Sequence, residues 1–134
     1  NVFYKDVIDA VIRQPQDETH IPFADHNIPG VVYLSDYDLG SNGIAYYDVD
    51  YANYTLSTGE NFQPWNSGWT YRNDGVDIQT NSDATNSNGY HVGYTNTNEW
   101  MKYTVNISET GFYNLKLRYA TQQSGAKIKF FING

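Results

Sequence analysis

An all-β fold, a β-sandwich or jelly roll preceded by a short helix and a linker, is what this sequence predicts. Three observations carry that expectation. From Ile28 onward apolar residues recur with a period of two in many short segments. Gly, Asn, Asp and Ser cluster between those segments, and no stretch after the first 13 residues keeps helical spacing. Many short strands with no helix between them bury their apolar faces against a second sheet or in a closed barrel. The aromatic content agrees, since 13 Tyr, 6 Phe and 3 Trp in an otherwise hydrophilic chain suit half-buried pleated surfaces.

Taken in order, Tyr4, Val7, Ile8, Val11 and Ile12 fall on one face at helical spacing, which predicts a short amphipathic helix that Pro15 ends. Gln14 to Asn27 reads as a polar linker. Residues 1–27 are therefore expected to be helix and linker, either the tail of a preceding module or a helix packed on the sandwich, and residues 28–134 the sandwich. Val31 to Tyr37 is the first strand expected, Gly40 to Gly43 a turn, and Ile44 to Tyr47 a second short strand. Tyr51 to Thr70 is polar, aromatic and Gly-punctuated, with Pro64 inside it. That is long for a loop, and long ordered loops are usually functional. Strands are expected again at Val76 to Gln79, Tyr90 to Tyr94, Trp100 to Ile107, Phe112 to Ala120 and Ala126 to Ile132. In the Phe112 strand Tyr113, Leu115, Leu117 and Tyr119 alternate with Asn114, Lys116 and Arg118, so one face is expected to be buried and the other wet. Glu109-Thr110-Gly111 and Ser124-Gly125 supply hairpin turns.

The bulk numbers exclude several functions. With 134 residues there is room for one domain with a real core. A net charge of −7, with the 8 basic residues spread along the chain, does not suit a phosphate backbone or an anionic membrane surface. No apolar run is long enough to span a bilayer as a helix. The absence of cysteine removes disulfides, thiolate zinc sites and cysteine nucleophiles together.

Catalytic patterns are thin. His20, His26 and His91 have no carboxylate spacing that suggests a metal site, and neither a nucleophile elbow nor a phosphate-cradling glycine loop occurs. Asp48 with Asp50, or Asp74 with Asp77, are the nearest paired carboxylates for glycoside hydrolysis, but adjacency in sequence does not set their separation. Asp36, Asp38, Asp48 and Asp50 could supply oxygen ligands to a calcium ion, or could be solvated turn carboxylates. No catalytic residue is assigned to this chain.

Sugar binding is better supported. Between Trp100 and Val105, residues Met101, Tyr103 and Val105 share one face, and Trp100, Lys102 and Thr104 share the other. A sheet that buries the first face leaves an indole exposed beside polar neighbours. Proteins seldom present Trp to water without a ligand for it. Tyr94 is expected at a strand end, where the loop Thr95-Asn96-Thr97-Asn98 begins, with Gln79 and Asn81 near it. Asn98 and Glu99 flank Trp100 as hydrogen-bonding neighbours. Trp65 and Trp69, around Asn66-Ser67-Gly68 in the long loop, fit either a ligand contact or a cover over the end of the sandwich.

Three stretches, IPGVVYLSDYDLGSNGIAYYDVD, YRNDGVDIQTNSD and GYHVGYTNTNEWMKYTVNISETGFYNLKLRYA, together resemble a family 6 carbohydrate-binding module from Ile28 to Gly134. The resemblance implies a β-jelly-roll module, non-catalytic, that anchors a secreted or cell-surface bacterial glycoside hydrolase to polysaccharide. It implies a loop-end cleft at the tyrosine of the VGY motif, Tyr94, with Gln79 after the GVDI element touching the sugar. It implies a second cleft on the sheet face around the tryptophan of the G-E-W motif, Trp100, where Asn98 replaces the glycine. It also implies a structural calcium held by two glutamates of the first strand, but the aligned Tyr33-Leu34-Ser35-Asp36-Tyr37 has neither. The strands that would carry the second stacking tryptophan are expected beyond Gly134. The partners implied are a polysaccharide or oligosaccharide and an adjacent catalytic module. A fragment of the hydrolase itself, or a protein-binding sandwich, are the alternatives.

Overall fold

A computed structural model of the chain describes residues 19–49, 71–72, 75–83, 85, 87–122 and 124–133. Among them the fold is all-β, as the alternation predicts. Six short strands form three pairs. Strand β1 (His26–Ile28) runs parallel to β6 (Val105–Ile107), β2 (Tyr46–Tyr47) antiparallel to β5 (Trp100–Met101), and β3 (Ile78–Thr80) antiparallel to β4 (Tyr90–Val92). A single 3₁₀ turn, Leu34–Asp36, is the only helical element among the described residues. The expected N-terminal helix and the Tyr51 to Thr70 loop, with Trp65 and Trp69, lie outside them.

The apolar core holds Tyr37, Ala45, Tyr46, Val76 and Ile78, with Tyr90, Val92, Met101 and Tyr103 packed against it. Tyr37 and Tyr46 meet edge to face at 5.5 Å between ring centres, a preferred aromatic geometry. At Gly40 the chain lies tight against this core: a Cβ there would be 2.7 Å from the Cβ of Ala45.

Beside the apolar core lies a buried polar layer that periodicity does not show. The Arg72 guanidinium sits over the rings of Phe23 and Tyr37, 4.1 and 4.0 Å from their centres. It donates to the carbonyls of Ser35 (3.2 Å), Tyr37 (2.6 Å) and Asp38 (3.3 Å). The Asp38 carboxylate accepts the Thr104 amide (2.8 Å) and hydroxyl (2.7 Å) and pairs with His20 Nδ1 (2.7 Å). Asp36 accepts the Tyr71 hydroxyl (2.6 Å) and the Asn88 amide (3.0 Å). Charges removed from water in this way are tolerated only because each has partners. The reading of Asp36, Asp38 and Asp48 as solvated turn carboxylates is therefore corrected, since all three are buried.

Four strand expectations change. The Val31 to Tyr37 stretch turns at Leu34–Asp36, where the Asp36 amide bonds the Tyr33 carbonyl (2.9 Å) and the side chains of Ser35 and Asp36 bond Asn88. Such local polar bonds compete with a strand ladder. The expected linker contributes β1 and the Ile21–Leu39 bridge, because His26 is buried with its ring bonded to the Asp36 carbonyl (2.9 Å). The expected Trp100 to Ile107 strand divides into β5 and β6. Lys102 exchanges backbone bonds with Ala45 (2.9 Å) and Asp38 (2.8 Å), and Asp38 then takes the Thr104 amide with its side chain, so one segment serves two neighbours in turn. Finally, Phe112 to Ala120 and Ala126 to Ile132 join no ladder, and Leu115, Tyr119, Ile128 and Phe130 are exposed. Alternation marks a face that could be buried, but no described residue pairs with these stretches in a ladder.

Candidate functional site

The β2–β5 pair brings two aromatic rings to one exposed place. Its register sets Tyr46 opposite Met101 and Tyr47 opposite Trp100. Tyr46 and Met101 turn to the core, so Tyr47 and Trp100 turn outward together, 40% and 37% exposed. Cross-strand neighbours on one face lie about 5 Å apart at Cβ, so the two rings form one surface. Lys102 follows on the same face, its ammonium 5.4 Å from the centre of the Trp100 ring. Trp100 thus occupies the outward position that alternation assigns to it. Tyr47 was not among the residues expected, because in the dipeptide Tyr46-Tyr47 composition does not say which ring points in.

The loop between β4 and β5 is wired by Glu99. Its carboxylate accepts the Asn96 amide (2.6 Å) and, across from β5, the Val49 amide (3.1 Å). Glu99 therefore positions this surface through the backbone as well as lying beside it. Asn98, at the place of the motif glycine, has φ +76°, a left-handed conformation that Asn tolerates better than most residues with a Cβ. That explains how the Gly-to-Asn departure is accommodated. Tyr94 also has a positive φ, +47°, and is 59% exposed at the start of this loop.

Tyr94 and its expected companions are less tightly gathered. Gln79 pairs with His91 in the β3–β4 hairpin, and the Gly93 amide bonds the Asp77 carbonyl (2.9 Å). Tyr94 lies two residues beyond the end of that ladder at Val92 and turns off it with a positive φ, whereas Gln79 sits inside it. Asn81 lies at the far end of the hairpin, where its side chain bonds the Tyr90 carbonyl (2.9 Å), the Asp83 amide (3.0 Å) and the Ser87 hydroxyl (2.8 Å). Among the described residues no ring packs on Tyr94.

Two tyrosines near the polar layer have perturbed hydroxyls. Burial raises the Tyr103 hydroxyl well above the usual tyrosine value, and it donates to the Leu34 carbonyl (2.9 Å). Burial, then the bond to the Asp36 carboxylate, raises Tyr71 in the same direction. Tyr71 also stacks on Tyr90 at 4.3 Å.

Comparison with protein families shows what kind of module carries this surface. A profile described as "Carbohydrate binding module (family 6)" matches residues 68–134, half of the chain. The chain belongs to this family. Carbohydrate binding is accordingly the general function of the module, and the matched residues include Gln79, Tyr94, Asn98, Glu99 and Trp100. No curated protein and no solved structure matched the module. The calcium that the resemblance implies does not fit the residues at the first-strand position. Both glutamates are replaced, Asp36 and Asp38 are satisfied by protein donors, and no cluster of three metal-binding side chains occurs among the described residues.

Proposed function

We propose that this module is non-catalytic and holds an appended glycoside hydrolase on polysaccharide, outside the cell or at its surface, by aromatic stacking on the sheet face. The observation that carries this reading is the exposed Tyr47–Trp100 pair on β2 and β5. Two coplanar-capable rings beside polar neighbours suit pyranose faces, whose axial C–H groups prefer an apolar flat surface while their hydroxyls seek amides. Tyr94, with Gln79 on the same hairpin, supports a separate loop-end contact, and Asn98 and Glu99 line the connection between the two.

Affinity electrophoresis against soluble plant and algal polysaccharides tests this. Retardation by at least one glycan is expected, abolished by Trp100→Ala and retained by Tyr94→Ala, with an unchanged melting transition in both variants. Retardation lost with Tyr94→Ala and kept with Trp100→Ala would move the site to the loop end. A folded chain that no glycan retards would overturn the proposal.

A further inference from the structure

Lys102 is a charged feature of the exposed face that stacking does not use. Its backbone does the structural work, with the amide and carbonyl bonded to Ala45 and Asp38. Its side chain is left on the outward surface with the ammonium 5.4 Å from the Trp100 ring centre, and it makes no ion pair among the described residues. The nearby carboxylates do not neutralise it: Glu99 is held by the Asn96 and Val49 amides, and Asp48, next to Tyr47, is buried. The ammonium lies over the Trp100 ring, so a sugar ring settling on that indole meets a cation that no described carboxylate pairs.

We propose that Lys102 makes the Tyr47–Trp100 surface selective for anionic pyranose units, those carrying a ring carboxylate or a sulfate ester, over neutral ones. The inference rests on the sheet-face sugar site proposed above and names its substrate class. An ammonium beside an aromatic face contributes a charge-assisted hydrogen bond to a carboxylate that a neutral hydroxymethyl group cannot match. The module's net charge of −7 opposes anionic chains at long range, but exposed charges are screened beyond about 8 Å at physiological ionic strength. A uronate polymer, with one charge per ring, is favoured over a densely sulfated galactan on the same ground.

The test is affinity electrophoresis of the whole chain and of Lys102→Gln, with mobilities normalised to a glycan-free gel, in polygalacturonate, a sulfated galactan, laminarin and xylan. The expected result is stronger retardation in polygalacturonate than in either neutral glycan. Lys102→Gln should weaken that binding about three- to fivefold and leave neutral binding unchanged, and added salt should act as the substitution does. The same pattern in the sulfated galactan alone would keep the cation role and assign the anion to sulfate. Neutral binding with no anionic advantage, or an advantage that survives Lys102→Gln or Trp100→Ala, would overturn the inference while leaving sugar binding intact. No retardation of a folded chain by any glycan would overturn the sheet-face site together with it.

Discussion

In the β3–β4 hairpin Ile78 is fully buried and Val92 packs against it, whereas between Phe112 and Ile132 the side chains of Leu115, Tyr119, Ile128 and Phe130 are each more than half exposed. Both regions alternate apolar and polar residues. The hairpin has what the later stretch lacks among the described residues, a paired edge and a layer beneath it. That layer is polar as much as apolar: Arg72, Asp36 and Asp38 knit the turn at Leu34–Asp36 to the sheet. The difference teaches that stability in this module resides where buried charges are fully partnered, and that alternation alone does not predict it.

Substitutions can break that contrast. The largest effect is expected from Arg72→Ala, which removes three carbonyl bonds and the cation between two rings and leaves carboxylates buried beside the gap. A loss of about 3–5 kcal/mol in urea unfolding is expected; a loss under 1 kcal/mol would show that the polar layer is incidental. Ile78→Ala should follow, at about 2–5 kcal/mol for a fully buried branched side chain. Glu99→Ala, measured the same way, should cost at most about 1 kcal/mol, because the two amides it releases are exposed and can bond water instead. At the other extreme, Leu115→Ser and Ile128→Ser should each stay within about 0.5 kcal/mol of the parent chain. A much larger loss from either would mean that the stretch is covered in solution.

Alkaline pH sharpens the same comparison without a substitution. Tyr71 and Tyr103 bind their protons more tightly in the folded chain than in the unfolded one, where tyrosine titrates near pH 10. The stabilisation linked to them is complete below about pH 10 and declines as the pH rises above it. Absorbance at 295 nm should show at least two tyrosines ionising late, together with unfolding. Complete ionisation within the ordinary range, before any loss of structure, would contradict the burial of these hydroxyls.

The all-β class and the outward position of Trp100 were legible because both follow from a period of two, and the VGY and N-E-W stretches sufficed to point to the family. The polar layer was not legible, since Arg72, Asp36 and Asp38 come together only through the fold, and a lone arginine after a tyrosine carries no sign of burial. Neither was the partner of Trp100: pairing register, which puts Tyr47 opposite it, is not written in composition. The expected nearness of Asn81 to Tyr94 was not legible either, because sequence proximity to Gln79 does not show that its side chain is bonded at the Asp83–Ser87 end of the hairpin.

One contact described above bears on how tightly such a surface can hold a flexible glycan. By gripping the amides of both Asn96 and Val49, Glu99 fastens the segment that follows Tyr47 to the segment that precedes Trp100. The ordering of that surface is thereby settled during folding, and an arriving chain has only its own conformational freedom to give up. Binding should accordingly proceed with little backbone adjustment, and cutting this clasp should slow capture less than it hastens release.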